Sequence, residues 1–182
     1  MRAFIAIPLS KDIKNQIAKI QDDLKEADFD LRWVKPENTH LTLKFLGEIE
    51  ETEIGRIKEA IKKTADNFPK LQSELKEFGF FPNERKPKVF FIATSRQDYL
   101  KSIAEALEKN LSNLGFKKED KFKSHITLAR IKTPKNIDFL VENLKKVSLD
   151  MPLAIDELVL FKSTLTSSSP IYEIIFRSSL TS

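Results

Sequence analysis

The chain of 182 residues carries 31 Lys and Arg against 27 Asp and Glu, a formal net charge of +4, and it has no cysteine. This length suits one domain with a sizeable core, and the lack of cysteine excludes disulfides, thiolate metal sites and cysteine nucleophiles. No apolar run reaches the roughly 20 residues of a membrane helix, and the N-terminal MRAFIAIPLSKD lacks the features of a signal peptide, so we expect a cytoplasmic protein without a membrane partner.

The first half of the chain predicts an alternation of strands and helices. A strand over 4–9 is followed by a helix from about 11, because apolar residues recur there at spacings of three and four. A short extended segment over 31–34 then leads through Pro36 into a strand over 40–47. A second helix contains Ile54, Ile57 and Ile61, and a strand over 71–81 ends this half.

The second half repeats the same order. A strand over 88–94 precedes a helix that runs from about Leu100 to Leu114 and stops at Gly115. A strand over 122–131, a helix over 137–145 and strands over 153–161 and 171–177 complete it. The sequence therefore predicts one α+β domain over 1–182 with an internal duplication, its halves about 1–85 and 86–182. We expect two pseudo-symmetric lobes, each an antiparallel sheet with helices packed on one face, and an active-site cleft between them.

The chain has only two histidines, and both stand in one pattern, His-aliphatic-Thr-Leu: His40 with Thr42, and His125 with Thr127. Alternate residues of a strand share a face, so each histidine lies beside its threonine. If the lobes are related by a pseudo-two-fold axis, the two faces meet across the cleft. Two imidazoles can then act as acid and base in one step, while the threonine hydroxyls donate hydrogen bonds to phosphate oxygens. This arrangement favours phosphoryl chemistry without a metal.

Two other interpretations compete with this one. A single histidine on a strand is more often a satisfied structural residue, although duplicate motifs half a chain apart argue against two structural histidines. A zinc site would need a third ligand, and the threonine at the second position is not one, but the many carboxylates of the chain leave this alternative open.

Three stretches resemble the 2H phosphoesterase superfamily, and within it the RNA 2′,3′-cyclic phosphodiesterases, also called 2′-5′ RNA ligases. They are residues 2–7 (RAFIAI), 32–48 (RWVKPENTHLTLKFLGE) and 124–130 (SHITLAR). Element order and length agree along the whole chain, and neither histidine motif departs from the family pattern. The resemblance implies hydrolysis of a terminal 2′,3′-cyclic phosphate of RNA to a 2′-phosphate, with no cofactor, metal or ATP.

The resemblance also implies residue roles. His40 would be the proton donor and His125 the proton acceptor, with Thr42 and Thr127 on the non-bridging phosphate oxygens and Arg130 as a further phosphate ligand. With an RNA 5′-hydroxyl in place of water, the same groups would form a 2′-5′ bond, for example between tRNA halves. Alternatives are a phosphodiesterase for small cyclic nucleotides and a nucleotide-binding module that has lost its chemistry. We expect a monomer.

Basic residues flank both motifs, either as a track for RNA phosphates or as ordinary solvated surface: Arg32, Lys35, Lys44, Lys117, Lys118, Lys121, Lys123, Arg130, Lys132 and Lys135. Strict alternation places Lys44 on the face of His40, places Phe45 on the opposite face, and keeps Arg130 off the face of His125 unless a bulge or strand end turns it. Of the 14 Phe, most are expected in the core, Phe4 among them, with four aromatic side chains as candidates for base stacking: Phe80, Phe81, Phe122 and Trp33.

Overall fold

A computed structural model describes residues 1–182 and shows nine strands and four α-helices. The strands are β1 (Arg2–Pro8), β2 (Leu31–Trp33), β3 (His40–Glu48), β4 (Leu71–Phe81), β5 (Val89–Thr94), β6 (His125–Ile131), β7 (Pro152–Ile155), β8 (Glu157–Thr164) and β9 (Ile171–Ser179). The helices are α1 (Lys11–Lys25), α2 (Ile54–Ala65), α3 (Gln97–Leu111) and α4 (Ile137–Leu144). None of the helices is long and apolar enough to cross a membrane.

All nine strands belong to one antiparallel sheet in the order β7-β4-β5-β6-β3-β1-β8-β9, with β2 paired to β6. The sheet has two halves that meet where β3 pairs with β6, and this junction is a single residue pair, Leu41 with Ile126. The predicted α+β architecture of two antiparallel lobes is confirmed. Each half of the sheet contains strands from both halves of the chain, because β4 pairs with β5 and β8 pairs with β1. The duplication itself stays a prediction.

The helices cover one face of the sheet through their apolar stripes. α1 buries Ile13, Ile17, Ile20 and Leu24, the residues whose spacing predicted it. The corresponding stripe of α3 is Leu100, Ile103, Leu107 and Leu111, and its chain leaves the last turn at Gly115 with φ of +78°, as a glycine stop requires. A single cluster of 36 buried apolar residues joins helices and sheet. The opposite face of the central strands is therefore left for polar side chains.

Two predicted strands differ from the structure. The strand over 153–161 is two strands, since β7 ends at Ile155 and β8 begins at Glu157, and the two pair with opposite ends of the sheet. The strand over 122–131 begins only at His125. The reason is Gln97 at the start of α3, whose side chain accepts from the backbone N–H of Ser124 at 2.9 Å and donates to its carbonyl at 3.0 Å. Ser124 is thus satisfied by a side chain and not by a neighbouring strand.

Candidate active site

The two histidines occupy equivalent places, each as the first residue of a central strand. β3 begins at His40 and β6 begins at His125. Because the antiparallel strands are in register at Leu41 and Ile126, His40 lies beside Thr127 and His125 lies beside Thr42 on the face away from the helices. All four side chains line one cavity of about 480 Å³, here called the two-histidine cavity.

The same hydrogen bond orients both imidazoles. Nδ1 of His40 lies 2.8 Å from the backbone carbonyl of Asn38, and Nδ1 of His125 lies 2.7 Å from that of Lys123. A carbonyl oxygen can only accept, so Nδ1 carries the proton in each ring. In a neutral imidazole Nε2 is then a bare acceptor, and in an imidazolium it is a donor. The protein thus fixes Nδ1 and leaves Nε2 for proton transfer.

Aromatic rings pack against each imidazole. His40 stacks on Phe4 with centroids 4.6 Å apart and meets the edge of Tyr172 at 5.4 Å. His125 makes edge contacts with Phe81 at 4.9 Å and Phe91 at 5.5 Å. These apolar neighbours restrict the rotation of the imidazoles and remove water from one side of each ring.

This environment disfavours the protonated imidazoles. Burial lowers the pKa of His40 from its ordinary value of 6.5 to about 4, against the opposing effect of the Asn38 carbonyl. The positive charge of Lys14, and that of His125 when its ring is protonated, lower the pKa of His40 further. Burial also lowers the pKa of His125. Both rings are therefore neutral at pH 7 when the cavity holds no anion.

A β-bulge in each central strand decides which side chains follow the threonines into the cavity. The pairing of β1 with β3 passes from Thr42 to Lys44 and leaves Leu43 unpaired, and the pairing of β5 with β6 passes from Thr127 to Ala129 and leaves Leu128 unpaired. A bulge of one residue exchanges the faces of the side chains that follow it, up to the next irregularity of the pairing. Phe45 and Arg130, each five residues after a histidine, therefore line the two-histidine cavity.

These bulges make two predictions from strict alternation wrong. Phe45 does not oppose the face of His40, since it is 58% exposed and lines the cavity. Lys44 does not share that face: it is 1% exposed, pairs with Glu108 of α3 at 2.6 Å and donates to the carbonyl of Lys117. Lys44 therefore stabilises the packing of α3 on β3 and cannot bind a phosphate. Arg130 lines the cavity because of the bulge at Leu128, and its binding of a phosphate stays a prediction.

The charges lining the two-histidine cavity are all positive. Arg2, Arg32, Lys35 and Arg130 line it, and no Asp or Glu does. Arg32 and Arg130 are direct cross-strand partners in the pairing of β2 with β6, an arrangement of like charges that is destabilising by itself. An anion between them would relieve this repulsion. The cavity is therefore suited to a phosphate.

The other predicted site residues fall into two groups. Thr42 and Thr127 face the cavity, whereas the neighbouring hydroxyls of Thr39 and Thr94 are held by protein groups. Of the base-stacking candidates, Trp33 and Phe81 line the cavity, while Phe80 is 8% exposed in the core and Phe122 packs against it. Among the basic residues, Lys135 pairs with Asp28 away from the site.

Sequence reasoning missed three residues of the site. Phe4 is buried at 3% exposure, as expected for the core, but its ring also forms a wall of the cavity under His40. Tyr172 comes from β9, distant in sequence, and burial raises the pKa of its hydroxyl while Arg2 and Arg130 oppose that rise. Asn38 lies two residues before His40 and also donates from Nδ2 to the carbonyl of Pro170 at 2.8 Å. Only the strand order, which no local pattern reveals, brings Tyr172 to this place.

The chain contains no group of three or more His, Cys, Asp and Glu side chains arranged to hold a metal ion. The zinc interpretation would require such a group around the histidines. The chemistry that these residues can supply is acid–base catalysis by two oriented imidazoles, with hydroxyl and guanidinium donors for the oxygens of a phosphate.

Comparison with known proteins gives a consistent result. The family described as LigT like Phosphoesterase matches residues 7–91 and 92–172. The chain is 36% identical over 177 residues to an RNA 2′,3′-cyclic phosphodiesterase of Thermotoga maritima, covering 97% of this chain and 94% of the relative. It is 36% identical over 178 residues to a protein of the same name from Methanocaldococcus jannaschii, covering 96% and 98% of the two chains.

Solved structures show the same fold over the whole chain. A protein of Thermus thermophilus superposes with a TM-score of 0.79 at 27% identity, covering 99% of this chain and 98% of the other. LigT of E. coli, crystallised with 3′-AMP, superposes with a TM-score of 0.78 at 25% identity, covering 100% and 98%.

Proposed function

The chain belongs to the LigT-like phosphoesterase family and is a phosphoesterase, and we propose that it hydrolyses the terminal 2′,3′-cyclic phosphate of RNA to a 2′-phosphate. The observation that carries this proposal is the pair of histidines in one cavity, each held by Nδ1 and free at Nε2, where every charged side chain of the lining is cationic. A cyclic phosphate diester brings one negative charge, and its hydrolysis needs one proton removed and one delivered.

In the proposed reaction His125 acts as base and His40 as acid. Nε2 of His125 takes a proton from a water that attacks phosphorus, the bond from phosphorus to O3′ breaks, and Nε2–H of His40 protonates the departing O3′. Thr42, Thr127 and Arg130 bind the non-bridging oxygens, where negative charge increases in the transition state. The deeper burial of His40 supports this assignment, because water reaches His125 more readily.

The negative charge of the substrate stabilises the protonated form of His40. Lowering the pKa of His40 from 6.5 to about 4 corresponds to about 3 kcal/mol against its imidazolium form. A phosphate anion about 4 Å from an imidazolium contributes about 4 kcal/mol at an effective dielectric constant of about 20. The two magnitudes are close, so the anion restores a protonated His40 near neutral pH, and the acid is formed only in the complex.

The same groups support a second ring-opening reaction, in which an RNA 5′-hydroxyl takes the place of water. His125 then takes the proton of the 5′-hydroxyl, the bond from phosphorus to O5′ forms as that to O3′ breaks, and the product is a 2′-5′ phosphodiester. The energy of the ring makes ATP unnecessary, and tRNA halves with cyclic phosphate ends are substrates of this kind. Hydrolysis dominates in this proposal because water is the more abundant nucleophile. One chain provides the whole site, so we expect a monomer to be active.

The test is incubation of an oligonucleotide ending in a 2′,3′-cyclic phosphate with the protein in EDTA, followed by identification of the phosphate position. A 2′-phosphate product is expected, with the same rate as without chelator. A 3′-phosphate product would retain the phosphodiesterase chemistry and overturn the assigned regiochemistry. Turnover of cyclic mononucleotides only would favour a small-nucleotide phosphodiesterase, and tight nucleotide binding without turnover would favour a binding module.

A further inference from the structure

A second cavity of about 420 Å³ adjoins the two-histidine cavity on the side of His40. His40, Lys35 and Asn38 line both cavities, so the two are contiguous. The second cavity then extends beyond His40 to the start of α1 at Lys14 and to β9 at Ile174. His125 does not line the second cavity, and the proposed hydrolysis uses none of its further residues.

The chemistry of the second cavity suits a phosphodiester with a nucleoside attached. Its cations are Lys14 and Lys35, and neither forms an ion pair with an acidic side chain. Nζ of Lys14 donates to the backbone carbonyl of Glu37 at 3.0 Å, which holds the ammonium group at the cavity and leaves two protons for a ligand. Glu37 is the one acidic residue of the lining, and its side chain is exposed.

Apolar side chains complete the lining of the second cavity. Ile171 is 55% exposed and Ile174 is 47% exposed, both on β9 and both lining the second cavity together with Phe161 and Pro170. Large apolar side chains that remain exposed beside a polar cavity are suited to cover the flat face of a sugar or base.

The direction of the RNA chain follows from the proposed reaction, on which this inference rests. His40 protonates O3′, so the terminal ribose lies on the His40 side of the phosphorus. The 5′ side of that ribose carries the preceding phosphodiester. We propose that the second cavity binds the penultimate nucleotide of the RNA, with Lys14 and Lys35 on its phosphodiester and the exposed isoleucines of β9 against its nucleoside. The enzyme therefore prefers an RNA end over a cyclic mononucleotide.

Three substrates distinguish binding in this subsite from binding at the reacting centre. They are adenosine 2′,3′-cyclic phosphate, the dinucleotide ApA with the same cyclic end, and that dinucleotide with an uncharged methylphosphonate linkage. In the wild type, kcat/KM for the charged dinucleotide is expected to exceed kcat/KM for each of the other two substrates by about tenfold. The substitutions Lys14→Gln and Lys35→Gln should each lower kcat/KM for the charged dinucleotide by roughly fivefold. The ratio of charged dinucleotide to mononucleotide is the readout, since Lys14 also acts on His40 and that effect is common to all three substrates.

Lys19→Gln is the matched control, because Lys19 is exposed on the same helix and lines neither cavity. An unchanged substrate ratio in both lysine variants, or an equal change in the control, would overturn the subsite. Calorimetry with the 2′-phosphate products of the mononucleotide and dinucleotide repeats the comparison without turnover. If the protein hydrolyses none of the substrates, the proposed function fails. The subsite is then supported by tighter, lysine-dependent binding of the charged dinucleotide product and refuted by equal binding of the two products.

Discussion

The environment of His40 predicts a defined loss of stability in acid. Between its pKa of about 4 in the folded protein and 6.5 in the unfolded chain, the unfolded chain binds a proton that the folded protein does not. The free energy of unfolding therefore rises with pH across this window. Moving from pH 7 to pH 4 should cost about 3 kcal/mol through this one residue, a large fraction of the stability of a small domain.

The measurement is urea unfolding at pH 7 and pH 4 for the wild type and for His40→Asn. Asparagine keeps a side-chain N–H near the position of Nδ1, so it can still donate to the carbonyl of Asn38, but it does not titrate. Other groups that titrate in acid are common to both proteins. The decrease from pH 7 to pH 4 should be about 3 kcal/mol smaller in the variant. Equal decreases would refute the claim that burial depresses the pKa of His40.

Three further predictions concern the same architecture. Gly79→Ala should destabilise the protein by about 1–3 kcal/mol in urea unfolding, because the added Cβ would lie 2.7 Å from Cε2 of Phe91. Gly55→Ala should stabilise it by about 0.5–1 kcal/mol, because no atom lies within 4 Å of the added Cβ in α2. Similar effects at the two glycines would contradict this prediction. Lys44→Met should destabilise the protein by about 3 kcal/mol, because it leaves Glu108 without its partner. The value of kcat/KM at 25 °C should change by less than about twofold, and a large loss of activity in a folded variant would indicate that Lys44 contributes to the active site. The pH profile of kcat/KM should be bell-shaped with its optimum below pH 6.5, because the pKa values of both histidines are lowered in the free protein. Both limbs of the kcat profile should lie at higher pH, because bound phosphate favours the imidazolium form. Limbs at the same pH in the two profiles, or loss of activity in EDTA, would argue against this account.

Patterns of short range predicted the elements of this fold well. The stripe of Ile13, Ile17 and Leu24 predicted α1, because burial of one face of a helix gives its apolar residues the helical period. The repeated order of elements predicted two lobes. The two histidine motifs predicted residues that line one cavity. Equivalent positions in duplicate patterns imply equivalent places in the structure, so this inference needed no knowledge of strand order.

Features that depend on partners were not predictable from the sequence. A bulge is a property of the pairing between two strands, and nothing in the sequence of β3 reveals that Leu43 is unpaired. Strict alternation consequently misplaced Lys44 and Phe45. The division of residues 153–161 at Asp156 likewise depends on two strands pairing with opposite ends of the sheet. Tyr172 reaches the cavity only because β9 pairs with β8 at the end of the sheet that carries β1.

The central claim is that the two histidines act together as acid and base without a metal. The most direct test compares initial rates in EDTA for the wild type, His40→Asn, His125→Asn and the double variant on an oligonucleotide with a 2′,3′-cyclic phosphate end, after circular dichroism shows that each variant is folded. Each single variant should lose roughly a hundredfold or more in kcat/KM. The double variant should lose far less than the product of the two, because the pair works as a unit. A single variant within about tenfold of the wild type, or a wild type that EDTA inactivates, would contradict the account.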